Sequence, residues 1–267
     1  MTAGSAGGTY TALVLAGSRG PSDPVAAQAG LRHKALVPVA GVPMVLRVLR
    51  SLAASRHVGR IVLCLDDPTV IDALPEAAAL AAAGRLSSVP TAASPSLSVA
   101  VALRRIEAPF PLLVTTADHP LLTTAMVDHF VTAVPAEADV AVALAPASLI
   151  RSTHPGAVRT FYRLGREAYS GCNLFAFRTP NAEKAAVFWA EMEQHRKRPW
   201  RLIAAIGPLT LLRFLLGMVD RRSAERLLSR RTGAAIRIVE MPFAEAAIDV
   251  DKPADLALAE KILRDRA

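Results

Sequence analysis

Cysteine is almost absent: Cys64 and Cys172 stand alone in 267 residues, far apart and without metal-type spacing. That excludes a disulfide-stapled scaffold and fits two reduced, buried thiols in a cytoplasmic protein. Aromatic residues are scarce at 5%, and no stacking or recognition-helix motif stands out, which argues against nucleic acid as a partner. The opening stretch, Met1 to Thr9, is small and polar and lacks the basic and apolar segments of a signal peptide. The most lipid-like segment, Leu202 to Val219, contains Gly207, Pro208 and Arg213. A spanning helix needs about 20 mostly apolar residues and a central Arg is costly there, so a buried helix is expected. No internal repeat and no low-complexity linker occurs.

Hydrophobic residues make up 52% and charged residues 20%, a globular composition with enough length for a substantial core. The formal charge of +8 is uneven: residues 1–150 carry 10 basic and 10 acidic side chains, residues 151–267 carry 21 and 13. All the excess positive charge therefore sits in the second half, where it suits an anionic small-molecule substrate or peripheral contact with an anionic membrane.

The most informative stretch runs from Ala12 to Met44. An apolar run, Ala12 to Leu15, reads as a buried strand that stops at Ala16-Gly17-Ser18-Arg19-Gly20. A strand feeding a glycine-bearing loop lets backbone approach a ligand closely. Arg19 could meet phosphate oxygens as a planar fork and Lys34 as a point charge. Further on, apolar strands alternate with amphipathic helices: helix from Met44 to Ser55, strand from Arg60 to Asp66, one helix from Val70 to Ala83, strand from Pro111 to Ala117. This is the pattern of a parallel sheet covered on both faces, a three-layer α/β/α sandwich.

Three features bear on chemistry. The helix from Val99 has a serine-rich entrance, where Ser94 or Ser96 could cap it and Ser96 and Ser98 could meet a nucleobase or ribose. Asp118 follows a buried strand directly, at the strand end where open α/β sheets bind ligands. Mg²⁺ typically takes one or two carboxylates, and the distant partners for Asp118 are Asp249 and Asp251, which share one side of the chain if extended. Between them, residues 148–171 are polar and basic (Arg151, His154, Arg159, Arg163, Arg166), leading to Gly171 and Asn173 at the mouth of a further strand. This segment reads either as an acceptor-binding loop for an anionic group or as a solvated surface loop. A long helix is expected from Pro180 to Arg198, ending in a basic cluster, and shorter ones over Leu202–Leu216 and Ala224–Ser229.

Taken together, these motifs resemble the MobA-like nucleotidyltransferases of the glycosyltransferase-A-like group. The resemblance rests on Leu15-Ala16-Gly17 with Arg19, on Lys34, on Gly41-Val42-Pro43-Met44, on Ser96-Leu97-Ser98, on Asp118-His119-Pro120-Leu121, and on Asp249 through Leu256. It covers most of residues 10–180 and 236–265 of a single domain and leaves 181–235 as a helical insert. It implies a Rossmann-like, mostly parallel mixed sheet with Leu15 to Ser18 around a nucleoside triphosphate (NTP). It also implies Arg19 and Lys34 on phosphates, Asp118 and Asp251 (with Asp249) on Mg²⁺, and transfer of a nucleotide to an anionic acceptor near Gly171 and Asn173. The chain departs from the pattern at Ser18, where a second glycine is usual. A nucleotide-sugar glycosyltransferase would be expected to show Asp-x-Asp after the mid-chain strand, where this chain has Asp118-His119-Pro120. A non-catalytic nucleotide-binding or membrane-surface protein on the same scaffold is the other alternative.

Overall fold

A computed structural model describes residues 9–18, 22–195 and 219–266. The described chain opens with β1 (Tyr10–Leu15), passes α1 (Pro24–Gln28) and the hairpin β2 (Pro38–Val39) and β3 (Val42–Pro43), and enters α2 (Met44–Ala53). There follow β4 (Val58–Cys64), α3 (Thr69–Asp72), α4 (Pro75–Ala82), β5 (Leu86–Val89), α5 (Pro95–Arg105), β6 (Leu112–Thr116) and α6 (Thr124–Ala133). The second half holds β7 (Val140–Pro146), α7 (Ala147–Thr153), β8 (Tyr162–Leu164), β9 (Glu167–Phe177) and α8 (Glu183–His195). Last come α9 (Arg221–Thr232), β10 (Ile236–Glu240) and α10 (Pro253–Asp265).

The main sheet runs in the order β10-β7-β9-β6-β1-β4-β5, with β8 attached to β9. Its neighbours are parallel except at β9, which runs antiparallel to β6, β7 and β8. Side-chain alternation along β1 feeds both faces. Ala12 and Val14 join Leu49, Met126 and Ile150 on one face. Leu13 joins Val99, Leu103 and Ala186 on the other. The expected three-layer α/β/α sandwich with a mostly parallel mixed sheet is therefore the observed one. The described parts of 181–235 are α8 and α9, and Ala182, Ala185 and Ala186 complete the second face.

A third, smaller cluster lies off the sheet. Val25 and Ala26 of α1, Val37, Val39, Met44 and Leu121 pack with Ile248, Val250 and with Ala259 and Ile262 of α10. This cluster joins the loop after β1, the turn after β6 and the late aspartate segment. The Ala40-Gly41 turn shapes the first of these: both residues have positive φ, 48° and 78°, as a two-residue hairpin loop with the strand's own twist requires. That geometry explains the glycine in the Gly41-Val42-Pro43-Met44 motif.

Two expected elements differ. The helix expected over Val70–Ala83 is split into α3 and α4, because Pro75 cannot donate a helical hydrogen bond and starts a new helix instead. The strand at Asn173 begins earlier, at Glu167, where Gly165 (φ 71°) closes the β8–β9 hairpin. Both cysteines are free and buried, as expected. No described helix is long and apolar enough to cross a membrane; the expected helix over Leu202–Leu216 and the basic cluster from Arg196 lie outside the described residues.

Because Ile248 is fully buried in the third cluster, Ile248→Ala is expected to lower unfolding free energy by about 2–5 kcal/mol. Val158→Ala, at an exposed position, is expected to stay within about 0.5 kcal/mol. Urea unfolding of both variants checks this.

Candidate active site

Strand order reverses at β1: the chain builds outward through β4 and β5, then returns to lay β6 on the other side. Ligands of open α/β sheets sit at such a switch point, beyond the carboxyl ends of the strands. Here those ends are locked together. The Ala117 amide donates to the Leu15 carbonyl (2.9 Å) and the Ala16 amide to the Cys64 carbonyl (2.8 Å). Gly17 is exposed, and a Cβ there would sit 3.4 Å from Thr91 Cγ2, in tight contact. The Ser18 amide donates to Asp66 Oδ2 (3.0 Å), and Asp66 also accepts from the Thr91 hydroxyl. Asp66 thus braces the first loop from the end of β4, a role the sequence reading did not assign. Its position just after a strand, like that of Asp118, was the available signal. Arg19 lies outside the described residues.

Below this loop the structure brings three of the expected residues together. Lys34 Nζ donates to Asp118 Oδ2 at 2.6 Å and to Asp251 Oδ1 at 3.0 Å. The short 3-10 turn Lys34–Leu36 presents the lysine. The Val250 amide, donating to the Asp118 carbonyl (2.9 Å), stitches the late segment to the turn after β6. With Ile248 and Val250 buried in the third cluster, the alternating Asp249 and Asp251 point away from that cluster. Burial draws the Lys34 ammonium down, but the carboxylates of Asp118 and Asp251 outweigh it and its pKa stands raised. Lys34 is therefore fully charged near neutral pH.

The two late aspartates have different partners. Asp251 is 58% exposed and touches Lys34. Asp249 is mostly buried, pairs with Arg159 and accepts from Asn173 Nδ2 at 2.6 Å. Asn173 reaches it from an irregularity in the β7–β9 pairing, where its φ is 46°. Gly171 is exposed on the same strand. Arg159 belongs to the segment expected to be either an acceptor-binding loop or a solvated surface loop. Instead its guanidinium is enclosed between Asp249 and Asp255, since a buried cation needs carboxylate partners more than a surface loop does. Arg151, by contrast, lies over the Phe161 ring at 4.7 Å.

Ser96 and Ser98 are also committed within the protein rather than turned to an open crevice. Ser94 caps α5. Ser96 donates from both its amide and its hydroxyl to Glu193 of α8. Ser98 Oγ accepts from the Ala92 amide at 2.9 Å. Both serines are buried. Glu193 comes from a helix 97 positions away, a pairing without a local sequence signal.

Whether a divalent cation fits can be asked of the donors themselves. Asp118 Oδ1 and Asp249 Oδ1 are both buried without a hydrogen-bond partner among the described residues, but Asp249 Oδ1 is ion-paired with Arg159, whereas on Asp118 only Oδ2 meets Lys34. No group of three or more His, Cys, Asp or Glu side chains among the described residues forms a metal cage. One orphaned carboxylate oxygen beside a second, exposed carboxylate suits a hard ion that completes its shell with water and substrate phosphate. The residues fit Mg²⁺.

Comparison with known structures places the fold. The chain is similar to CMP:2-keto-3-deoxy-manno-octonic acid synthetase complexed with CTP (15% identity, TM-score 0.60, 97% of this chain and 100% of that one). It is also similar to 4-diphosphocytidyl-2C-methyl-D-erythritol synthase from Anaerococcus prevotii (12%, 0.58, 97% and 99%). This chain and those two proteins thus share one class of fold. Within that class, residues 12–230 match the MobA-like NTP transferase domain, and the chain belongs to that family. A hypothetical transferase from Thermus thermophilus is similar over 93% of this chain and 99% of its own (29% identity, TM-score 0.78). No curated protein sequence matches significantly. The family match ends before Asp249 and Asp251, which join the site through the third cluster.

His119 follows Asp118 and is fully enclosed. Its Nε2 donates to the Glu245 carbonyl at 3.2 Å, since a carbonyl can only accept. Burial pushes the imidazole from its ordinary 6.5 down to about 4. The unfolded chain therefore binds the extra proton first as pH falls. The stability contributed by this neutral imidazole is complete above about pH 6.5 and is lost as pH falls toward about 4, on the order of 3 kcal/mol in all. Urea unfolding across that range in chelator-containing buffer should show a steeper loss for wild type than for His119→Gln.

Proposed function

We propose that the protein transfers a nucleoside monophosphate from an NTP to an anionic acceptor, with Mg²⁺ bound and pyrophosphate released. The observation that carries this reading is the meeting of Asp118 and Asp251 on the Lys34 ammonium beneath the glycine-bearing loop. Family membership supports the nucleotidyl-transfer step. The excess of basic residues after position 150 supports an anionic partner, and a phosphate monoester meets that requirement.

In this reading Leu15, Ala16, Gly17 and Ser18 line the triphosphate, with Arg19 adjoining. Asp118 and Asp251 hold the cation. Mg²⁺ when bound supplies charge neutralisation and orients phosphate oxygens. Lys34, on its flexible stem, reaches from the carboxylates to a non-bridging α-phosphate oxygen and balances the charge that grows there. An acceptor oxygen forms a new bond to the α-phosphorus as the bond from that phosphorus to the pyrophosphate oxygen breaks. Gly171 and Asn173 stand on the acceptor side, Gly171 leaving room and Asn173 fixing Asp249. Positioning and electrostatics do most of the work, since phosphoryl-type transfer needs little covalent help.

Thermal shift with each of the four NTPs and Mg²⁺ is expected to raise the midpoint for at least one, because a ligand that binds only the folded chain stabilises it. With that NTP and a panel of phosphate monoesters, Asp118→Asn is expected to lower pyrophosphate release about 10²–10³-fold. Wild-type release by Asp118→Asn would remove the assignment.

A further inference from the structure

We infer that Arg159 is a positioning residue: its guanidinium fixes the backbone from which Asp251 presents its carboxylate to the cation. The inference rests on the reading of Asp118 and Asp251 as cation ligands.

Asp251 has little to hold its side chain in place. It is 58% exposed, and its carboxylate contact is the Lys34 ammonium. Its backbone is the opposite case. The Asp251 and Lys252 amides both donate to Asp255 Oδ2, at 3.2 and 2.9 Å. Asp255 can serve them only while its carboxylate keeps one orientation, and its other oxygen faces Arg159 Nη1 at 3.3 Å. On the upstream side, Arg159 pairs with the Asp249 carboxylate and its Nη1 lies 3.4 Å from the Asp249 carbonyl. One guanidinium therefore grips the chain on both sides of Asp251.

The grip needs arginine. Its donors lie in a rigid planar fork and reach several acceptors at fixed angles, whereas a lysine ammonium is a single point charge. All three members are largely buried, with side chains 11% (Arg159), 17% (Asp249) and 14% (Asp255) exposed, so little solvent screens them. Asn173 adds a neutral donor to the remaining Asp249 oxygen, which commits Asp249 to the clamp. Asp118 and Asp251 are then the two carboxylates left to the cation. Residues that orient metal ligands from outside the coordination shell typically change affinity about 10–100-fold when removed.

A buried ion-pair network that merely stabilises α10 would look similar, and cation affinity separates the two. Free Mn²⁺ is counted by electron paramagnetic resonance as the full chain is titrated with the metal alone, and urea unfolding reports the fold of each variant. Arg159→Ala is expected to weaken Mn²⁺ binding about 10–100-fold, with Arg159→Lys intermediate. In an Asp251→Asn background, Arg159→Ala should add no further loss, because it acts through Asp251. If Asp118→Asn weakens Mn²⁺ binding but folded Arg159→Ala does not, Arg159 is structural only and the inference fails. Should Arg159→Ala not fold, wild-type affinity in Arg159→Lys overturns it equally. If Asp118→Asn leaves Mn²⁺ binding unchanged, or wild type binds none, the cation reading fails and takes this inference with it.

Discussion

A lysine ammonium held between two carboxylates is the constraint around which the molecule is arranged. Lys34 is 12% exposed, and a charge so enclosed is tolerable only with opposite charge at contact distance. Asp118 and Asp251 supply it from segments 133 positions apart in the chain. The reverse dependence also holds, because two neighbouring carboxylates repel each other unless a cation lies between them. The two carboxylates make the enclosure of Lys34 tolerable, and Lys34 lets the two acids lie side by side.

Hydrophobic contacts set that arrangement, and polar ones refine it. The sheet delivers Asp118 at the end of β6, and the small cluster off the sheet delivers the other two. Leu121 follows Asp118, Val37 follows Lys34 and Val250 precedes Asp251, so each charged residue has an apolar neighbour in one shared cluster. Alternation then turns the acids outward while their neighbours turn in. The backbone bond from Val250 to Asp118 fixes the register between the two acidic segments.

Much of this was legible in the sequence, for local reasons. The strand before Gly17, the strand before Asp118 and the alternation around Asp249 and Asp251 are written in consecutive residues. Lys34 and both acids could therefore be placed at one end of a sheet. What was not legible depends on contacts across the fold. Arg159 was grouped with its basic neighbours as an acceptor contact or a solvated charge, yet its partners are Asp249 and Asp255, and no spacing rule connects position 159 to those. Ser96 and Ser98 carried the right chemistry for a ligand, but Glu193 and the Ala92 amide take their hydrogen bonds. The alanine-rich run from Val70 to Ala83 reads as one helix, and the break at Pro75 divides it.

The order in which these parts are made has a consequence for the living cell. Every described strand of the sheet lies before residue 241, and a ribosome adds about 5–20 residues each second. The sheet can therefore form on the nascent polypeptide before Asp251 has been added. Only when α10 emerges and packs with α1 in the small cluster does the contact of Lys34 with both acids close. A product ending before Asp249 would keep the described strands and lack the second carboxylate that Lys34 meets.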